Sequence, residues 1–169
     1  ANSYQTLASS LADEFGRLDG LVHNAGILGE RYSIEQYDAV LWQQVMHVNV
    51  TSAFALTQVC LPLLAASDDP SVIFTSSGVG RTGRAFWGAY AVSKFATEGL
   101  SQVLADEHRH AKLRSNCINP GATRTKMRQE AYPGEDRDQL KTPEDILPTY
   151  IYLLGPDSKG VTGESLDAQ

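Results

Sequence analysis

The chain has 169 residues, 42% of them hydrophobic and 20% charged, with a formal net charge of -6. That is enough apolar content for one domain with a sizeable core, and the acidic balance argues against a nucleic-acid footprint. No apolar run is expected to reach the length needed to cross a membrane, since the longest, 50–66, is broken by Thr51, Ser52, Thr57, Gln58 and Pro62.

From the amino end, Leu7, Leu11 and Phe15 recur every four residues and Gly16 follows, which predicts an amphipathic helix over 3–15 with a glycine stop. Residues 20–24 form a short apolar strand that ends in the tight turn Asn24-Ala25-Gly26, where small residues let another backbone approach. Ser33-Ile-Glu-Gln36 fits a capping box, so a long helical stretch is expected over about 35–66, as one helix or two, with Pro62 kinking or ending it. Asn49 falls inside that stretch between Val48 and Val50, and a buried mid-helix amide must find partners. Cys60 and Cys117 set no disulfide framework and read as small buried apolar groups, which suits a reducing, cytoplasmic compartment.

Residues 71–76 are β-branched and aromatic, bounded by Asp68-Asp69-Pro70 and Gly78, and predict a second strand closed by Ser77. A loop permissive through Gly78, Gly80 and Gly83 leads by Phe86-Trp87 into a proline-free helix over 88–111. Within that helix Tyr90-Ala-Val-Ser-Lys94 stacks a phenol and an ammonium on one face. An ammonium so placed favours phenolate and lowers the tyrosine pKa from about 10, which makes a usable acid/base. Residues 115–119 form a third strand ending in Pro120-Gly121. The polar stretch 124–141 has no apolar period and reads as a mobile surface segment, plausible as a substrate lid. Thr142-Pro143-Glu144-Asp145 starts a helix that Gly155-Pro156 stops, with Pro148 inside it, and 161–167 gives a last strand. No metal-ligand spacing occurs, and His108 and His110 lie on a solvated helix end.

Alternating helices and strands imply a parallel sheet with right-handed crossovers. Ligands bind outside the carboxyl ends of such strands, so the turns at 24–26, 77 and 120–121 converge with the Tyr-Lys helix on one pocket. Asn24-Ala25-Gly26, Asn49, Ser77, Tyr90-x-x-x-Lys94 and Pro120-Gly121 with Thr125, in this order and spacing, resemble the classical short-chain dehydrogenase/reductase family. His23-Asn-Ala-Gly-Ile, Thr75-Ser-Ser and the run 80–90 are most similar to its YciK-like branch.

The resemblance implies an α/β fold, a Rossmann-like doubly wound parallel sheet, of which four strands of the usual seven are present. It implies oxidoreduction of a small carbonyl or alcohol substrate with NAD or NADP. Tyr90 would be the acid/base, Lys94 would lower its pKa and bond the nicotinamide ribose, and Ser77, chosen over Ser76 by its spacing, would hold the substrate oxygen. Asn49 would be a helix distortion whose carbonyl anchors a water. Asn24, Ala25, Gly26, Pro120, Gly121, Thr123 and Thr125 would complete the cofactor site with Tyr90 and Lys94. A homodimer or homotetramer built on the two long helices is expected, with no nucleic-acid or membrane partner.

Three departures stand out. The glycine-rich phosphate-binding turn does not occur among these residues, His23 stands where asparagine is common, and the chain ends Asp167-Ala-Gln. The reading is of one partial dinucleotide-binding domain over 1–169, with about 70–90 more residues upstream in the gene. A non-catalytic dinucleotide-binding or assembly module that keeps the fold is the alternative. Arg81, Arg84, Arg124 and Arg128 rim the pocket either as solvated surface ion pairs or as recognition groups for an acidic substrate.

Overall fold

A computed structural model describes residues 3–169. Four strands run parallel in the order β1 (Gly20–His23), β2 (Ser71–Thr75), β3 (Arg114–Asn119) and β4 (Ser165–Asp167). Each strand pairs with the next in sequence, with Gly20 opposite Ser71, Ser71 opposite Arg114 and Cys117 opposite Ser165. The helical connections are α1 (Ser3–Phe15), α2 (Ala39–Met46), α3 (Ser52–Ala65), α4 (Gly88–Glu107), α5 (Lys126–Ala131) and α6 (Pro143–Leu154).

The period-2 alternation of β2 separates two apolar layers. Val72 and Phe74 face α3 and α4, where Ala53, Cys60, Leu64, Leu104 and Cys117 are buried with them. Ile73 faces the other way, against Ile118 and Leu153 of α6. This is the three-layer arrangement of a doubly wound sheet. Both cysteines are free and buried, and burial pushes the Cys117 thiol up to about 12.

Several expectations are corrected. Ser33 caps no helix; the turn at Ile34–Gln36 is a single 3₁₀ turn, and Asp38 caps α2 instead by accepting from the Leu41 amide at 2.8 Å. Pro62 neither ends nor visibly breaks α3, because it lies in the last turn. The stretch 39–65 is continuously helical for 27 residues and is long and apolar enough to cross a membrane, contrary to the reading of its polar interruptions. Here it lies along the sheet with Ala53, Cys60 and Leu64 in the core.

The segment 124–141 is not featureless. Thr125 caps α5 by accepting from the Arg128 amide at 3.1 Å, and Arg124 donates its amide to Lys141 at 2.8 Å. The last strand is shorter than 161–167, because both ends of the Asn116 amide take Val161 and Glu164 backbone groups out of the ladder. The start of α6 is as expected: Asp145 accepts from the Thr142 amide at 2.7 Å.

Candidate active site

Because all four strands are parallel, Asn24, Ser77 and Pro120 come to the same edge of the sheet. They open on a cavity of about 490 Å³. Asn24, Ala25, Gly26, Ser77, Tyr90, Lys94, Pro120, Gly121, Thr123 and Thr125 all line it. Asn49 is the exception: it is buried behind the wall.

Tyr90 lies in the first turn of α4. Its ring is buried among Leu28, Trp87, Ala91 and Ala131, and its hydroxyl faces the Ser77 side chain. Burial raises the phenol pKa above its usual 10, and the nearby Ser77 side chain offsets part of that rise. Lys94 stands one turn further on, with Nζ 5.5 Å from the Tyr90 ring centroid. It donates to the Thr75 carbonyl at 2.7 Å, and burial brings its pKa down to about 8. So the expectation that Lys94 lowers the Tyr90 pKa is not met in this arrangement. Burial dominates, and the ammonium directs one of its bonds at a backbone carbonyl.

Asn49 sits in a distorted helical turn and its buried amide finds partners. The helix widens to a π turn over His47–Thr51, the type of bulge found at functional positions. Its side chain accepts from the Ile27 amide at 2.8 Å and donates to the Ile27 carbonyl and Ser93 Oγ, each at 2.9 Å. Ser93 Oγ in turn donates to the Tyr90 carbonyl at 2.7 Å. One amide therefore ties the loop after β1 to the wide turn and to the Tyr90 helix. A Cβ on Gly26 would stand 3.2 Å from Asn49 Oδ1 and 3.7 Å from Lys94 Nζ, so glycine allows this approach.

Ser76 and Ser77 both line the cavity but stand differently in it. Ser76 has a buried hydroxyl with no protein partner, while Ser77 faces the phenol. The apolar half of the site was not read from the sequence. Leu28, Trp87, Met127 and Ala131 come from three separate segments, and no local period marks them. Phe86, at φ 68, bends the chain so that Trp87 turns inward at the start of α4. Tyr150 also lines the cavity, and its hydroxyl lies 3.1 Å from Thr75 Oγ1.

Three of the four rim arginines are spoken for. Arg81 reaches Asp167 at 2.9 Å and Ser165, Arg124 reaches the Asp138 carbonyl at 3.1 Å, and Arg128 forks onto Glu135 at 2.6 and 2.5 Å. Arg84 meets the Tyr132 hydroxyl at 3.0 Å.

His23, at the end of β1, stacks on Phe74 at 4.7 Å, and its Nε2 lies 2.8 Å from Thr57 Oγ1. Burial lowers its pKa from 6.5 to about 4. The folded value lies below the unfolded one, so the unfolded chain binds the extra proton. Stability is complete above pH 6.5 and falls as pH drops towards 4. Thermal unfolding at pH 7.5 and 4.5 should show wild type losing about 2 kcal/mol more than His23→Asn over that interval. Equal losses would place the acid sensitivity elsewhere.

A family model for short chain dehydrogenase matches residues 1–136. The chain belongs to the short-chain dehydrogenase family. It is 57% identical to the uncharacterized oxidoreductase YciK of Escherichia coli K12 over 165 residues, 98% of this chain and 65% of that protein. It thus spans just under two thirds of that relative's length. The structure of a short chain dehydrogenase from Escherichia coli CFT073 complexed with NADPH superposes with a TM-score of 0.96 at 57% identity, covering 98% of this chain and 69% of that one. One from Shigella flexneri 2a complexed with NADP gives 0.96 at 55% identity with the same coverage. The similarity is to the YciK-like branch of the short-chain dehydrogenases, and the four-stranded Rossmann-like sheet is part of the fold they share.

Proposed function

We propose that the complete protein is an NAD(P)-dependent oxidoreductase that interconverts a carbonyl and an alcohol, with Tyr90, Ser77, Lys94 and Asn49 as its working groups. The observation that carries this reading is the Tyr90 phenol facing Ser77 on the cavity at the strand ends, with the Lys94 ammonium beside the same ring. Ser77 positions the substrate oxygen, and Tyr90 gives it a proton in reduction or takes one in oxidation. Asn49 holds the loop after β1 against α4, which keeps Tyr90 and Lys94 in register. In the family pattern its carbonyl also anchors a water leading to Lys94.

The residues present fit the nicotinamide-ribose half of a dinucleotide. Lys94 spends one proton on Thr75 and keeps two for a diol. Asn24 to Gly26, Pro120, Gly121, Thr123 and Thr125 form the walls on either side. The cofactor would supply the hydride, while the protein supplies orientation and charge. NAD and NADP are both compatible with these walls. The two similar structures complexed with NADP and NADPH favour NADP(H).

Residues 1–169 would be the C-terminal part of one dinucleotide-binding domain whose glycine-rich turn lies upstream. In support, β1 pairs only with β2 among the described residues and leaves an apolar strand at the sheet edge, with Val22 exposed. Phe54 of α3 and Val92, Phe95 and Val103 of α4 are also exposed, which supports a homodimer or homotetramer packed through these helices. A stable monomer of the intact protein in light scattering at micromolar concentration would argue against that assembly. A cytoplasmic site of action is consistent with two buried free thiols.

Fluorescence titration of the intact protein with NADPH and NADH tests the cofactor reading. Lys94→Ala should weaken binding about tenfold or more, the worth of a charge-assisted hydrogen bond. Unchanged binding would remove Lys94 from the cofactor site. The non-catalytic alternative predicts cofactor binding with no turnover across a carbonyl panel.

A further inference from the structure

Beside the main cavity lies a second one of about 370 Å³. Ser77, Trp87, Gly121 and Arg128 line both, so the two spaces adjoin at Ser77, beside Tyr90. Its far wall holds Arg84 and Tyr132.

The charge around Tyr132 is one-sided. Arg128 lies 4.0 Å from the ring centroid and Arg31 5.4 Å, while Arg84 donates to the hydroxyl. Arg31 also covers the Trp87 ring at 4.7 Å and donates to the Ala131 carbonyl at 2.5 Å. Glu135 is the one carboxylate in ion-pair contact with any of the three among the described residues, and Arg128 holds it bidentately. Two guanidinium charges therefore remain uncompensated at this spot, in a chain whose net charge is -6. Stacked, pre-organised guanidiniums match the planar fork of an oxyanion. Between this cluster and Tyr90 the walls are apolar, with Leu28, Trp87 and Met127.

We propose that the second cavity is an oxyanion subsite: the substrate is a carbonyl compound whose carboxylate or phosphate lies against Arg84, with an apolar portion reaching back to Ser77 and Tyr90. This rests on the oxidoreductase reading above for the position of the carbonyl. Arg84 makes the contact. Arg31 is a positioning residue that holds the Trp87 and Tyr132 rings and adds positive potential, and the Arg128–Glu135 pair fixes the wall.

The probes are aryl methyl ketones with a para carboxylate on a tether of zero, one or three methylenes, together with their methyl esters and a phosphate monoester of matching length. Binding is measured by calorimetry on the intact, NADP-saturated protein, and turnover is followed by NADPH consumption. At least one acid should bind about tenfold or more tightly than its ester, the scale of a charge-assisted bond. The phosphate arm shows which oxyanion is preferred. Arg84→Gln should bring acid and ester within about twofold, as expected when that bond is lost. Lys126→Gln, on the exposed face of α5, should leave the preference intact. If no acid exceeds its ester, or if the preference survives Arg84→Gln, the subsite is overturned. Acid-selective binding without reduction of any ketone would instead sink the oxidoreductase reading and leave the subsite standing. Reduction of neutral and acidic ketones alike would do the reverse.

Discussion

Tyr90→Phe in the intact protein should cut carbonyl turnover by about 10²–10⁴-fold, the usual cost of losing one positioned acid/base group. The substitution removes a single oxygen. The ring stays packed against Leu28, Trp87, Ala91 and Ala131, so the melting temperature should move little. Ser77 loses the phenol it faces but lines the open cavity, where water can replace it. NADPH affinity should fall far less than turnover, because Lys94 and the strand-end turns are untouched. This combination separates a chemical role from a structural one: kcat falls, while folding and cofactor binding persist. A variant that turns over a verified substrate at the wild-type rate would remove Tyr90 from the reaction.

The parts of the site that were legible in the sequence share one property. Each is local: a tight turn, a strand end, or a Tyr-Lys pair at a fixed helical spacing. Parallel topology then carries three such turns to one edge, so Asn24, Ser77 and Pro120 meet without any long-range information in the pattern. Asn49 was legible as a problem, a polar amide between two valines, and its solution is a wide helical turn bonded across to Ile27 and Ser93.

What stayed hidden depends on contacts between distant segments. The apolar wall of Leu28, Trp87, Met127 and Ala131 is assembled from three loops and helix ends, none with a period of its own. The capping box at Ser33 failed because chain direction changes at Asp38, whose carboxylate competes for the helix start. The electrostatic expectation for Tyr90 failed for a related reason. Spacing places the ammonium, but burial and a bond to Thr75 decide what that charge does to the phenol.

Arg114→Met should lower the stability of the intact protein by about 2–3 kcal/mol, the scale of hydrogen bonds lost from a buried charged group. Nothing local marks Arg114 as structural, since it precedes a strand and follows the polar end of α4. In the fold the residue is only 3% exposed. Nε donates to Asp69 at 3.1 Å, and Nη1 donates to the Leu153 carbonyl at 2.8 Å and to the Ser158 hydroxyl. The fork thus joins the amino ends of β2 and β3 to the carboxyl end of α6, at the edge of the sheet opposite the cavity. Methionine matches much of the stem but takes the guanidinium away from Asp69 and Ser158, and leaves the Leu153 carbonyl with only the Ser71 and Ser158 hydroxyls as donors. Arg114→Lys restores charge without the fork and should recover only part of the loss. Lys112→Met serves as the comparison. Lys112 pairs with Asp68 at 2.8 Å, but both side chains are mostly exposed, so the cost should stay below about 1 kcal/mol. Denaturant titration reads all three, and kcat per folded molecule should be unchanged, because no atom of Arg114 lines the reaction cavity. An Arg114→Met protein within 1 kcal/mol of wild type, by the same scale, would mean that water or a shifted α6 satisfies these groups, and that the fork is not what fastens α6 to the sheet.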